Sequence, residues 1–219
     1  MAHAPASAAH VVDTSPDSGY GTTLGISHRK LLMWSFLASD CMFFGTLIAN
    51  FIIQYPHHAE TPPAQFLNIP YTSVSAFVLL MSSLTMVLAL AAIQRRNEPA
   101  MRVWLVATAL LGSVFLGGQY FEFTEFYHEG MRLTGVNLFS SAFFTLTGTH
   151  GLHVTIGVIW LLSVVTLSLV RGIKPENSLN VELAGLYWHF VDIVWIIIFA
   201  AVYLVGVTLS GAPAAPAGH

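Results

Sequence analysis

The chain has 219 residues, 55% of them hydrophobic and 9% charged, with a formal net charge of -3. A soluble domain carries about 25% charged residues, so this one has too few to build a water-facing surface, and lipid is expected to be its main solvent. The near-neutral balance gives no basis for nucleic-acid binding, and the lone cysteine, Cys41, excludes an intramolecular disulfide and reads as a small buried hydrophobe.

Residues 1–27 are rich in Ala, Ser, Pro, Gly and His. They lack a positive segment followed by a short apolar core, so they read as a disordered tail rather than a cleavable signal peptide. His3 and His10 fall there and are given no role. Crossing a hydrocarbon core takes about 20 apolar residues in a helix. Five stretches qualify: 31–54, 71–93, 103–126, 138–170 and 182–209. The breaks between them carry turn residues or charge. They are Tyr55-Pro56-His57-His58 through Pro70, Gln94-Arg95-Arg96-Asn97-Glu98-Pro99, His128-Glu129-Gly130 to Asn137, and Arg171-Gly172-Ile173-Lys174-Pro175. Proline and glycine at these points are expected to end helices. Residues 210–219 read as a second disordered tail. The expected fold class is therefore all-α, a single transmembrane domain of five helices over residues 28–209. Barrel strands are excluded, because they alternate apolar and polar residues over about 10 positions, whereas these runs are continuously apolar.

Five crossings place the two ends of the chain on opposite sides. Arg29, Lys30, Arg95, Arg96, Arg102, Arg171 and Lys174 then share the N-terminal side, and only Arg132 lies opposite. Basic residues favour the cytoplasmic face, so a cytoplasmic N-terminus and a periplasmic C-terminus are expected, in a bacterial plasma membrane.

An ionisable side chain at the centre of a membrane helix costs about 2.5 to 3.5 kcal/mol. Asp40, Glu122, Glu125, His150, His153, His189 and Asp192 all fall inside the expected helices, so they must face other helices, a cavity or water. Three pairs are spaced i, i+3, which places each pair on one helix face. Asp40 and Asp192 each lie about ten residues, or roughly 14 Å, inside a helix, so a shared polar layer between the first and fifth helices is expected. Facing His and carboxylate pairs can bind two metals or a haem. Equally, they can hydrogen-bond between helices or hold lipid head groups. The spacing weakens the di-metal reading, since Glu pairs here with Glu and His with His instead of forming Glu-x-x-His. Gly112, Gly117, Gly118, Gly148, Gly151 and Gly157 are expected to let helix backbones approach closely. Trp34, Trp104 and Trp188 lie near helix ends and read as interfacial anchors.

Several runs also resemble a known family. Gly148-Thr149-His150-Gly151-Leu152-His153-Val154-Thr155-Ile156-Gly157 resembles the G-x-H-G-L-H-V-x-x-G signature of haem–copper oxidase subunit III. Tyr187-Trp188-His189-Phe190-Val191-Asp192-Ile193-Val194-Trp195 resembles its Y-W-H-F-V-D-x-V-W motif. Ser39-Asp40-Cys41-Met42-Phe43-Phe44 and Gly118-Gln119-Tyr120-Phe121-Glu122-Phe123 are similar to two further segments. The resemblance spans residue 27 to about residue 207, and the paired-histidine and last-helix motifs carry its specificity.

That resemblance implies a non-catalytic accessory subunit of a proton-pumping terminal oxidase, with a cytochrome c oxidase favoured over a quinol oxidase. It implies no cofactor on this chain, haems and copper on partner subunits, and bound phospholipid. The implied partners are oxidase subunit I, through direct helix packing, subunit II, a small subunit IV as a further candidate, and membrane lipids. Some members have seven helices, and this chain resembles a short form lacking the first two. Asp40 stands where many members have a carbodiimide-sensitive glutamate, and aspartate there is similar to bo-type quinol oxidases. The seven intramembrane residues are then expected to serve a polar network or to support lipid binding and proton uptake. Alternatives are an accessory subunit of a nitric oxide reductase, or a stand-alone membrane haem or di-metal protein.

Overall fold

The computed structural model describes residues 27–54, 69–128, 138–172 and 178–204. They form five helices, α1 (His28–Gln54), α2 (Ile69–Gln94), α3 (Glu98–His128), α4 (Leu138–Arg171) and α5 (Leu179–Phe199). A π-helical turn, Ala200–Leu204, continues α5. The two expected tails lie outside the described residues, except for Ser27. All five helices are long and apolar enough to cross a membrane. Lipid offers the backbone no hydrogen bonds, so a continuous apolar run satisfies its N–H and C=O groups only by closing its own helix. The hydroxyls follow the same logic: those of Ser35, Thr46, Thr124 and Ser163 donate to the carbonyl four residues earlier.

The break between α2 and α3 is narrower than the sequence suggested. Pro70 and Pro99 sit in the first turns of α2 and α3 instead of ending helices, where an N–H is unpaired in any case. Only three residues join these two helices. Arg96 adopts φ 60°, its N–H bonds the Ile93 carbonyl, and the Asn97 N–H bonds the Ala92 carbonyl. This is a Schellman closure with arginine in the left-handed position. Asn97 also caps α3, its Oδ1 accepting from the Ala100 N–H at 3.2 Å. At the same end of the bundle, Gly172 at φ 68° closes α4, and Ser27 caps α1.

α5 is the central helix. It packs against α1, α2 and α4, while α3 closes the ring between α2 and α4. α1 leans on α4 and α5 and leaves a broad apolar face uncovered, including Leu32, Trp34 and Met42. Cys41 is on that exposed face, not buried as expected, because α1 meets its neighbours along one narrow stripe: Met33, Leu37, Phe44 and Phe51. Two polar clamps pin one end of the bundle. The Lys30 Nζ lies 2.7 Å from Glu182 Oε1, joining the starts of α1 and α5. Arg102 of α3 bonds Glu98, and its guanidinium also donates to the Ser168 hydroxyl and carbonyl of α4. These contacts put the basic residues Lys30 and Arg102 at the same end.

A candidate intramembrane polar site

The α5 motif meets a serine pair on α2. The Trp188 Nε1–H donates to Ser82 Oγ at 2.9 Å, and Ser82 donates to the Leu79 carbonyl. Ser83 is bonded to Asp192 Oδ2 and lies 2.9 Å from His189 Nδ1. The second oxygen of Asp192, Oδ1, is buried without a partner among the described residues. Nothing in the sequence marked Ser82 and Ser83, because two small hydroxyl residues in an apolar run look like helix filler.

Trp188 is not the interfacial anchor it was expected to be. It is 1% exposed and lies in the core, while Trp34 stays 59% exposed. The indole fits a slot made by missing side chains. A Cβ built on Gly112 would lie 2.5 Å from Trp188 Cη2, and one on Gly157 would lie 2.9 Å from Cζ3. Both separations are too short for real atoms, so glycine on α3 and α4 is what admits the ring. The same holds at Gly151, where a Cβ would meet Gln119 Oε1 at 2.7 Å. These three glycines thus accept side chains from neighbouring helices instead of bringing backbones together. Gly117 meets nothing within 4 Å.

The expected i, i+3 pairs divide unevenly. Only His189 and Asp192 converge on one partner, Ser83. His150 is fully buried, and its Nε2 lies 3.2 Å from the Val191 carbonyl. A carbonyl only accepts, so Nε2 carries the proton and Nδ1 is a bare acceptor, without a partner among the described residues. The ring stacks on Trp195 with centroids 4.8 Å apart, and Phe115 meets both edge-on. His153, about 60° further around the same helix, turns instead toward α1, with Nε2 3.3 Å from Asp40 Oδ2. Its Nδ1 sits 2.8 Å from the Thr149 carbonyl and must hold a proton. Asp40 Oδ2, although close to Nε2, has no hydrogen-bond partner among the described residues. Phe44 packs edge-on against the same imidazole.

Nor do Asp40 and Asp192 form a shared layer between α1 and α5. Asp40 pairs with α4 and Asp192 with α2, because their side chains leave the two helices on different sides. The carboxylates of α3 also separate. Glu122 is buried, with Oε1 accepting from Thr72 Oγ1 at 2.9 Å, while Glu125 is exposed. Gln119, which sequence reasoning left unassigned within its motif, ties α3 to α4 by donating from Nε2 to the Thr147 carbonyl at 2.7 Å. Among the described residues, no three His, Cys, Asp or Glu side chains gather closely enough to hold a metal ion. Chemically, the site is a set of hydrogen bonds between helices, each matching a polar side chain to a hydroxyl or carbonyl across a seam.

Comparison with known proteins gives this arrangement a context. The family model for cytochrome c oxidase subunit III matches residues 10–207. The "Probable quinol oxidase subunit 3" of Staphylococcus saprophyticus is 38% identical over 84% of this chain and 92% of that protein. The "Quinol oxidase subunit 3" of Bacillus spizizenii is 38% identical over 79% of this chain and 85% of its own length. The "Cytochrome c oxidase subunit 3" of Bacillus sp. (strain PS3) is also 38% identical, over 84% of this chain and 89% of its own length. The match takes in all five helices and every polar residue described above, and the chain belongs to the cytochrome c oxidase subunit III family.

Proposed function

We propose that this chain is the non-catalytic accessory subunit of a bacterial terminal oxidase that reduces oxygen to water and pumps protons. The family match over residues 10–207 carries this reading. The way the polar groups are used supports it: Trp188, Asp192, His189, His150 and Glu122 all bond to groups on neighbouring helices. The redox centres belong to partner subunits. The chain braces the large catalytic subunit by helix packing, and the uncovered apolar face of α1 is suited to that partner and to structural phospholipid. The Asp40–His153 pair, 13% and 14% exposed at the α1–α4 seam, supports proton uptake by the neighbour. The basic end, with Lys30, Arg95, Arg96 and Arg102, faces the cytoplasm.

Relatives named for quinol and for cytochrome c stand at the same 38% identity. This favours donor recognition by other subunits, with one accessory scaffold serving both oxidase types. The test is to purify the chain from its native membrane with whatever holds it. Co-purifying haem-bearing subunits and oxygen consumption with reduced cytochrome c or quinol are expected. A lone chain carrying stoichiometric iron or copper would overturn the reading.

A further inference from the structure

Three side chains stand in series across the α2–α5 seam: His189 Nδ1, Ser83 Oγ and Asp192 Oδ2. Ser83 has one hydroxyl proton and cannot donate to both neighbours, so the chain has a direction. With Asp192 as a carboxylate, His189 donates from Nδ1 to Ser83, and Ser83 donates to Asp192. With Asp192 as a carboxylic acid, its O–H donates to Ser83, Ser83 donates to a bare Nδ1, and His189 keeps its proton on Nε2. The two arrangements differ by one proton, and each is hydrogen-bonded along its length. The ends are unlike in access. Asp192 is 4% exposed, whereas His189 is only partly buried.

We propose that His189, Ser83 and Asp192 form a proton relay that loads and unloads the buried Asp192 carboxyl through the His189 imidazole. A proton arriving at Nε2 makes the imidazolium. The Nδ1 proton then passes to Ser83 Oγ as the hydroxyl proton passes to Oδ2. One proton enters at Nε2 and one appears on Asp192. The Nδ1–H bond is broken, the Oδ2–H bond is formed, and Ser83 ends as it began. The seam is free of competing groups among the described residues. The only ionisable side chain on α2 is Tyr71, which bonds the Gly118 carbonyl at the far end. On α4, His150 is held by the Val191 carbonyl and His153 faces Asp40 of α1. On α5 itself, Glu182 pairs with Lys30, and the Tyr187 hydroxyl donates to the His153 carbonyl. The relay belongs to this chain alone and holds whichever oxidase the chain serves.

The test uses the full chain in lipid bilayers with isotopically labelled histidine. Nitrogen NMR reads the His189 tautomer, assigned by difference with His189→Gln. Infrared spectroscopy reads the Asp192 carboxylic C=O stretch, assigned by difference with Asp192→Asn. As pH falls, the Asp192 band should grow in step with a switch of His189 from the Nδ1–H to the Nε2–H form. Ser83→Ala should uncouple the two signals, and Ser83→Thr, which keeps a hydroxyl, should leave them coupled. A His189 tautomer that stays fixed while Asp192 titrates in the unaltered chain would overturn the relay, and so would coupling that persists in Ser83→Ala.

Discussion

α5 and α1 are both apolar and both carry an intramembrane aspartate, yet 56% of the apolar window of α5 is buried within the bundle against 22% of that of α1. The difference lies in what each helix offers its neighbours. α5 presents Trp188, His189, Val191, Asp192 and Trp195 to α2, α3 and α4, which supply matched receivers: a serine pair on α2, a glycine slot from α3 and α4, and a histidine on α4. α1 presents one narrow stripe, the Lys30–Glu182 ion pair at its start and the Asp40–His153 contact within the membrane. Apolar character alone therefore does not make a core helix in lipid, where packing and hydrogen bonds, not water exclusion, drive association. Position in this bundle is set by small residues and hydroxyls opposite large polar-tipped side chains.

Breaking the α5 side of this contrast should have the largest effects. Gly112→Val or Gly157→Val would drive a branched side chain into the Trp188 indole, and Trp188→Ala would empty the slot, at about 3 to 5 kcal/mol for loss of a buried tryptophan. Thermal unfolding in detergent should show a large fall in midpoint or no folded protein. A wild-type midpoint for Gly112→Val would mean that the indole does not fill this slot. Next in size, Thr72→Val should cost about 1 to 3 kcal/mol by removing a hydrogen bond from buried Glu122. Thr72→Ser, which keeps the hydroxyl, should recover most of it in the same assay.

On the α1 side the effects should be small within the chain itself. Asp40→Asn keeps the shape of the side chain and removes only one partner of a partly exposed pair, so a loss of under about 1 kcal/mol is expected. Oxygen reduction by the assembled oxidase should begin near the normal rate, with any change appearing in proton entry or durability. An immediate loss of all turnover in an assembled complex would contradict the supporting role given to Asp40. Smallest of all, Met42→Ala, at a position 77% exposed, should change the stability of the isolated chain by no more than about 0.5 kcal/mol. A much larger effect on co-purification with partner subunits would sharpen the contrast, since it would place the partner on the face that α1 leaves open.

The sequence made the helices legible because lipid permits so little else: five apolar runs gave five helices, and the motifs located the polar residues. Their pairing was far less legible. An i, i+3 spacing leaves about 60° between side chains, enough to send His150 toward α5 and His153 toward α1. Trp188 lay close enough to the expected helix start to look like an anchor. α5 in fact begins at Leu179, three residues earlier than expected, and the neighbouring glycines take the ring inside. Ser82, Ser83 and Thr72 carry no charge and have no periodicity of their own, so nothing local distinguishes a receiving hydroxyl from one bonded to its own helix. Proline punctuates both helix ends, so Pro70 and Pro99 look like stops in the sequence. Only the closure at Arg96 and the Asn97 cap reveal that Pro99 opens α3.

In the proposed function, polar groups join helices within this chain and redox chemistry belongs to its neighbours. The most direct test is to strip this chain from the purified oxidase and follow oxygen consumption over many turnovers. Unchanged haem and copper spectra are expected, with a near-normal initial rate and a shortened active lifetime that returns when the chain is added back. Loss of a haem or copper signal in step with loss of the chain would contradict the proposed function.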